Sequence, residues 1–345
     1  MTRHRLRLRW RTAFSVGAVC GLALAGTGLA ADPAVPRTGI EAVSGKDGTV
    51  DAESDEAFQS LGISTVKVGS STTTVRKQAI HELPLDRLSD DSRNKAELVL
   101  KNIGLFRRLP TLSFEVDPEV YDYFLCNPDV AVATWRAMDI SKFKLQEVEP
   151  NRYQADAGDG SAGQVELFYH TPEDTLIHCD GAFKSPLLPK PIIARSLMRL
   201  QTTFAKEADG RVIGTHSGDV FVEFPSQAIE TVAKVISPVS HNIADRNFRQ
   251  MTLFAHLMSQ AMARHPGWIE VIGNKLDGIG PEQRHEFMKV SARSHATSRK
   301  RLNVTARPEI LFLPDEALSP FRQTNVSATA FSVPLSTQSG TATLR

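Results

Sequence analysis

The chain has 345 residues, of which 40 are Lys or Arg and 39 are Asp or Glu, so its formal net charge is +1 with neutral His. Hydrophobic residues make up 41% of the sequence, which is enough to build a sizeable core. Such a balanced charge lacks the basic footprint of a nucleic-acid-binding domain, and we expect no nucleic-acid partner.

Residues 1–30 have the pattern of a secretory signal peptide. Five arginines precede the apolar run Ala13–Ala25, and Gly28-Leu29-Ala30, with small residues at its first and third positions, forms a cleavage site just before Ala31. The apolar run is short for a membrane span, although an uncleaved anchor is the alternative. Cleavage would remove the five arginines and lower the net charge from +1 to −4. We therefore predict an exported protein, periplasmic or extracellular, with no transmembrane span in the mature chain.

Export would leave two cysteines, Cys126 and Cys179. An even count in an oxidising compartment permits one disulfide. That bond would close a loop of about 54 residues, worth on the order of 4 kcal/mol in the chain-entropy account. The alternative is two separate sulfurs that behave as small hydrophobic groups. The sequence leaves both open, because the Cα separation decides between them.

Composition divides the rest of the chain into three parts. Residues 31–79 are rich in Gly, Ser, Thr and acids without a sustained period, which predicts a flexible linker. Residues 302–345 are dominated by Ser, Thr and Pro, which predicts a mostly disordered tail. The periodic patterns lie in residues 80–301, and we predict a single α+β domain there.

The first elements of this domain are mainly helical. The spacing of apolar residues predicts a helix over Asp91–Phe106, and alternation predicts a short strand within Arg108–Val116. Two helices follow, Pro118–Leu125 and Pro128–Met138, each opened by a capping residue and a proline.

Alternating apolar and polar residues then predict a series of strands. Their ranges are 143–148, 153–157, 164–170, 175–183, 192–206 and 211–224. The pair Asp209-Gly210 is a hairpin signal between the last two. Because each run is joined to the next by a short turn, we predict an antiparallel meander.

The longest helical pattern covers Ser226–His265. Its apolar residues recur in steps of three and four, which places them on one stripe. Pro238 lies inside the pattern and predicts a kink or a break. Two further helices, Pro266–Leu276 and Pro281–Ser294, close the domain.

This order of strand, paired short helices, meander and long helix resembles the helix-grip fold of the START-like superfamily, which includes lipid-transfer domains and polyketide cyclases. The resemblance covers about Leu109–His265 and includes the Asn-Pro-Asp-Val entry at 127–130 to the helix that leads to Trp135. Otherwise the chain looks like an exported bacterial protein. The resemblance implies a curved antiparallel sheet wrapped around a long C-terminal helix, here with extra flanking helices. A generic α+β sheet packed on helices is the rival.

A helix-grip arrangement would place a cavity between the sheet and the second half of the long helix. The predicted ligand-binding residues are apolar: Trp135, Met198, Leu200, Val220, Val222, Met251, Phe254 and Met258. An apolar void of roughly 300 Å³ or more would favour binding, and a core filled by flexible Met side chains is the alternative. The resulting hypothesis is an exported module that binds or carries a lipid or other apolar small molecule. An envelope structural or interaction protein without a pocket, or a cyclase- or hydrolase-type enzyme, remains as an alternative.

Polar residues on the predicted strands are the candidates for chemistry: His178, Asp180, Arg195, Arg199, His216 and Asp219. A His beside a carboxylate can act as a general base, and an Arg can stabilise negative charge. Antiparallel sheets also need one polar face, and this is the interpretation we favour. We therefore predict no catalytic residues, and leave open whether the protein is an enzyme.

Metal and cofactor motifs are absent from the sequence. The pair His178 and Asp180 offers two ligands without a further compact cluster, and no His-Glu-x-x-His occurs. No Gly-x-Ser-x-Gly and no phosphate-binding Gly-rich loop occurs either. We expect no metal and no cofactor.

Overall fold

The structure is a computed structural model that describes residues 58–184, 191–225 and 229–302, with the backbone only for residues 183, 229–240 and 302. The predicted signal peptide and C-terminal tail lie outside these residues, apart from position 302. The side chains of the first predicted apolar positions of the long helix lie outside them as well.

Strands and helices alternate early in the chain and are segregated later. The strands of the described residues are β1 Ile63–Lys67, β2 Ile103–Arg108, β3 Thr111–Glu115, β4 Lys144–Glu149, β5 Arg152–Asp156, β6 Ala162–Thr171, β7 Asp174–Phe183, β8 Ile192–Lys206 and β9 Val212–Glu223. The helices are α1 Thr73–His81, α2 Asp90–Lys101, α3 Pro118–Cys126, α4 Pro128–Ala137, α5 Ile229–Arg264, α6 Pro266–Lys275 and α7 Pro281–Leu302.

Within the described ranges, one nine-stranded antiparallel sheet has the order β1-β3-β9-β8-β7-β6-β5-β4, and β2 also pairs with β9. Strands β4 to β9 follow one another as a meander, as predicted. The β8–β9 hairpin pairs Lys206 with Val212, and Gly210 takes a φ of +80° that its turn requires. The predicted fold class, a curved antiparallel sheet around a long C-terminal helix with flanking helices, is confirmed.

Local capping explains the two short helices after β3. The Asp117 carboxylate accepts a hydrogen bond from the Glu119 amide at 3.0 Å, and Pro118 occupies the first helical position. Asn127 ends α3 and precedes Pro128, which opens α4. Both helices were therefore predictable from their first residues.

The predicted helix Asp91–Phe106 was too long. Helix α2 ends at Lys101, and the chain enters β2 at Ile103. Phe106 pairs with Phe221 of β9, and the two rings lie 5.1 Å apart. Pairing with a strand more than 100 residues away thus overrides the local helical spacing.

The folded region begins before Ile80, where the predicted linker was to end. Strand β1 pairs with β3, with Ile63 opposite Phe114, and Ile63 is buried. Helix α1 is capped by the Thr72 hydroxyl. Strand β1 and helix α1 are short and contain few apolar residues, so the sequence shows no sustained hydrophobic periodicity there. Contacts with the rest of the domain stabilise both elements.

The long helix α5 runs without a break from Ile229 to Arg264, so Pro238 does not end it. A proline inside a helix removes one backbone hydrogen bond, and a long helix can continue through it. At the C-terminal side, α7 extends to Leu302, beyond the predicted end at Ser294.

The sheet is covered on both faces. On the face we call the outer face, helices α1 and α2 pack on the sheet through a cluster that includes Ala79, Val99, Leu197 and Phe221. The opposite, inner face lies against α4 and α5, with Val132, Tyr153 and Cys179 among its buried residues.

The Cys126–Cys179 disulfide is not formed, because Cys126 is a free, half-buried thiol at the end of α3. Cys179 lies on β7, where its neighbours in the sheet are Val165 and Ser196. Burial raises the pKa of the Cys126 thiol to about 11, and the Asp122 carboxylate adds to the shift.

Candidate ligand cavity

An apolar cavity of about 120 Å³ lies between the inner face of the sheet and helices α3, α4 and α5. The helices contribute Phe124, Trp135, Met251, Phe254 and Ala255 among others, and the strands contribute side chains such as Val165, Met198 and Leu200. No Lys, Arg, Asp or Glu is among its lining residues in the described part of the chain. The cavity therefore suits uncharged, apolar groups.

The structure brings five of the eight predicted residues together around this cavity: Trp135, Met198, Leu200, Met251 and Phe254. That these side chains contact a ligand stays a prediction.

Val220, Val222 and Met258 are buried but do not line the cavity. Val220 is opposite Arg107 in the pairing of β9 with β2, at the side of the sheet that α5 covers directly. Met258 lies one turn beyond Phe254 on α5. A sequence pattern identifies the inner face but not which part of it is covered by the helix.

Aromatic packing fixes one wall of the cavity. The Trp135 and Phe254 rings meet edge to face at 5.5 Å, and the Phe124 and Phe254 rings do so at 5.1 Å. Such pairs are worth roughly 0.5–1.5 kcal/mol beyond their burial. Phe254 thus joins α5 to both short helices α3 and α4.

The volume decides what could fit. Ligand pockets usually measure roughly 300–1,000 Å³, and this cavity is smaller than the 300 Å³ we set as the favourable size. It is also not a filled core. A dry apolar cavity of about 150 Å³ is known to accept one benzene molecule. The space therefore suits one ring or a short acyl segment rather than a whole lipid.

His216 lies on the cavity wall at the centre of a hydrogen-bond chain. Its Nδ1 is 2.9 Å from the Tyr121 hydroxyl, and its Nε2 is 2.7 Å from the Thr252 hydroxyl. Tyr121 is also 2.9 Å from the Thr202 hydroxyl, and its own ring lines the cavity. The His216 ring stacks on Phe248 at 4.5 Å.

The Thr252 hydroxyl determines which groups donate and which accept along this series of hydrogen bonds. The Thr252 hydroxyl donates to the Phe248 carbonyl oxygen at 2.8 Å, so it accepts from His216 Nε2–H. His216 Nδ1 then accepts from Tyr121, whose oxygen accepts from Thr202. The imidazole has no hydrogen-bonding capacity left for a ligand.

Burial sets the protonation state of this imidazole. It lowers the pKa of His216 to about 3, so the ring is neutral at pH 7. Burial likewise raises the pKa of Tyr121. A neutral, fully bonded histidine keeps the cavity wall uncharged.

His178 and Asp180 share the outer face, as their spacing predicts, and that face is opposite the cavity. His178 is buried and stacks on Phe168 at 5.0 Å, and both of its ring nitrogens lack a partner among the described residues. Burial lowers its pKa to about 4. Asp180 bonds instead to Arg195 at 3.0 Å.

The other polar candidates are also paired on the outer face. Arg199 binds Asp174 through two hydrogen bonds of 2.9 and 2.7 Å. Asp219 is buried and binds Arg108 through two bonds of 2.7 and 2.8 Å. His216 and Asp219 lie on opposite faces and do not form a pair. We expected these side chains to face solvent on the polar side of the sheet, and this was wrong: His178, Arg199, His216 and Asp219 are buried. Ion pairs stabilise the charges of Arg199 and Asp219 there.

One cluster of potential ligands was missed in the sequence. Asp122, Cys126 and His170 each present one metal-binding atom, and these atoms lie within 4.8 Å of one another. Asp122 and Cys126 are four residues apart on α3, a spacing that was visible in the sequence. His170 comes from β6, and only the fold brings it to them.

None of the helices in the described ranges has the length and hydropathy needed to cross a bilayer.

No protein-family model matches the chain, and a search of curated proteins gives no match. Similar solved structures include a conserved protein from Geobacillus kaustophilus, with 14% identity over 40% of this chain and 93% of that one and a TM-score of 0.23. Ara h 8.0201 has 8% identity over 39% and 95%, with a TM-score of 0.22. An uncharacterized protein from Rhizobium leguminosarum has 12% identity over 41% and 94%, with a TM-score of 0.21. At such TM-scores these likenesses carry no argument about fold, family or function.

Proposed function

We propose that the protein is an exported START-like module that binds or carries an apolar small molecule in the cavity between its sheet and α5. A lipid would insert one short acyl segment, and a smaller ligand would insert one ring. The observation that carries this proposal is the uncharged void of about 120 Å³ where the long helix meets the inner face. Empty space at such a place is costly, at about 24 cal/mol per Å³ in mutational series, and a ligand would recover part of that cost.

The lining also specifies which part of a ligand enters. The imidazole and hydroxyl groups of the wall already have partners within the protein: Tyr121 and His216 belong to one hydrogen-bond chain, and the Tyr153 hydroxyl donates to the Cys126 carbonyl oxygen. A carboxylate or phosphate head would lose its hydration without gaining a partner there. The head of an amphiphile would therefore stay outside, and only its apolar end would be enclosed.

Filling the cavity should abolish binding. Ala255 lines it from α5, and Ala255→Leu places an isobutyl group in the void. We expect affinity for toluene and for octanoate to fall at least tenfold, with thermal stability maintained or raised. The measurement is a titration followed by NMR of [¹³C-methyl]Met, in which the Met198 and Met251 signals shift and that of Met288, outside the cavity, does not.

The matched control is Ala205→Leu, which adds the same group at an exposed position of β8 and should bind like wild type. Ala131→Leu, on the α4 side of the cavity, is a second filling variant should Ala255→Leu fail to fold. Binding that survives both filling variants, or no binding of either probe by wild type, would contradict the proposal. The second result would favour the structural or interaction class.

An enzymatic use of the cavity receives no support from its geometry. His216 is the wall's titratable base, and both of its nitrogens are occupied. The carboxylates and arginines considered for catalysis are paired on the other face of the sheet.

Export is the other part of the proposal, and it rests on the pattern of residues 1–30. We expect the secreted protein to begin at Ala31 when it is expressed with its own leader in a bacterial host. Intact-mass measurement of the secreted fraction tests this directly. A chain that retains residues 1–30 and sediments with membranes would instead indicate an uncleaved anchor.

A further inference from the structure

A second site, separate from the cavity, lies where the end of α3 meets the end of β6. Asp122 and Cys126 are one turn apart on the same side of α3, and His170 faces them from β6. The three residues offer a carboxylate oxygen, a thiol sulfur and an imidazole nitrogen. These are the three ligand types that zinc takes in proteins.

The distances are close to those that a metal needs. Bonds of about 2.0–2.3 Å in a tetrahedral arrangement place ligand atoms about 3.3–3.6 Å apart. The three atoms lie within 4.8 Å of one another, and His170 Nε2 is 2.9 Å from the Asp122 carboxylate. Small side-chain rotations would therefore bring all three to one ion.

The imidazole is also held in a suitable orientation. His170 Nδ1 is 2.9 Å from the hydroxyl of Thr175, which is itself 1% exposed. Metal-binding histidines usually donate their second N–H to such a partner, which fixes the ring and its tautomer. When Nδ1–H donates to Thr175, the Nε2 lone pair can bind a metal ion in place of the hydrogen bond between Nε2–H and the Asp122 carboxylate.

We propose that Asp122, Cys126 and His170 bind one Zn²⁺ ion. A thiolate and an imidazole favour zinc over Mg²⁺ and Ca²⁺, which prefer oxygen ligands throughout. Three protein ligands leave the fourth position to water or to an external group. The side chain of Asp122 is 42% exposed, so solvent reaches this cluster. The thiol loses its proton when the metal binds.

The test uses the full-length protein, purified without a polyhistidine tag and stripped with a chelator. After dialysis against Zn²⁺ we expect one ion per chain by elemental analysis. Replacement by Co²⁺ should give the near-ultraviolet absorption of a thiolate–cobalt bond. Cys126→Ser should abolish that absorption, and His170→Ala should weaken metal binding at least tenfold.

Two further variants separate ligation from general effects of mutation. Thr175→Val removes the hydroxyl at nearly constant volume, and we expect about tenfold weaker binding with the cobalt absorption retained. His285→Ala, at an exposed position of α7, should bind like wild type. No retained zinc, or binding that Cys126→Ser and His170→Ala leave unchanged, would overturn the site and leave an ordinary His–Asp hydrogen bond. Neither outcome bears on the apolar cavity.

Discussion

Lowering the pH from 6.5 to 4 should reduce the free energy of unfolding by about 5 kcal/mol through two buried histidines alone. Burial lowers the pKa of His216 to about 3 and that of His178 to about 4. Between these values and 6.5, the unfolded chain protonates both rings and the folded protein protonates neither. The unfolded state therefore binds more protons, and stability falls as the pH falls. The contribution is fully present above pH 6.5.

Urea denaturation at pH 7, 6, 5 and 4 measures the slope of the free energy of unfolding against pH. His178→Leu identifies one of its sources, because leucine has a similar volume and cannot titrate. We expect the slope to decrease by up to about 1.4 kcal/mol per pH unit. Stability at pH 7 should stay equal or rise, since both His178 nitrogens are buried without a partner among the described residues.

The control is His285→Leu, which removes an exposed histidine and should leave the slope unchanged. A slope that His178→Leu does not alter would show that this ring is protonated or solvated in the folded state. Our account of the outer face would then be wrong at that position.

Removing the Asp245 carboxylate should destabilise the fold by about 3–5 kcal/mol. Asp245 of α5 binds Arg107 of β2 through both carboxylate oxygens, with the Arg107 Nε bond at 2.9 Å. Both side chains are mostly buried. Asp245→Ala would leave the guanidinium buried, with the Ser71 hydroxyl at 3.5 Å as a weak remaining partner. Chemical denaturation of wild type and variant measures the difference.

A double replacement distinguishes loss of the pair from loss of packing. Arg107→Met with Asp245→Leu should recover most of the stability, because neither charge is then left unpaired. The exposed pair of Glu119 and Arg293 provides the comparison, and Glu119→Ala should cost less than about 1 kcal/mol. An Asp245→Ala effect as small as that of Glu119→Ala would contradict the role we assign to this contact. In that case the pair would not be what joins α5 to β2.

Much of the fold could be predicted because its signals are local. Asp117 followed by Pro118 starts α3, and Asp209 with Gly210 forms the turn of the β8–β9 hairpin. Neither signal depends on tertiary contacts. Strand β2 could not be predicted in this way. Its residues fit a helical period, and only pairing with β9 makes them extended.

The cavity was partly predictable for the same reason. Periodicity places Met251 and Phe254 on the inner side of α5, and alternation places Met198 and Leu200 on the face opposite them. The sequence pattern cannot show that Val220 lies under α5, beside Arg107. The position of a helix across a sheet depends on tertiary contacts. The volume of the cavity depends on packing and is likewise invisible in the sequence.

The cluster of Asp122, Cys126 and His170 shows a further limit. Two of its members lie on one helix, but 44 positions separate Cys126 from His170 in the numbering, and no motif has that form. Conversely, His178 and Asp180 looked like a pair and are not used as one. Proximity along a strand is weak evidence for a site when each side chain can bond to a neighbouring strand.

Crystallography under xenon pressure tests the central claim most directly, because xenon enters dry apolar cavities that are large enough to hold it. The account predicts one ordered xenon atom between Trp135, Met251 and Phe254, and its loss in Ala255→Leu. An unoccupied, closed space at this position in wild type, or ordered water there, would contradict an apolar binding cavity.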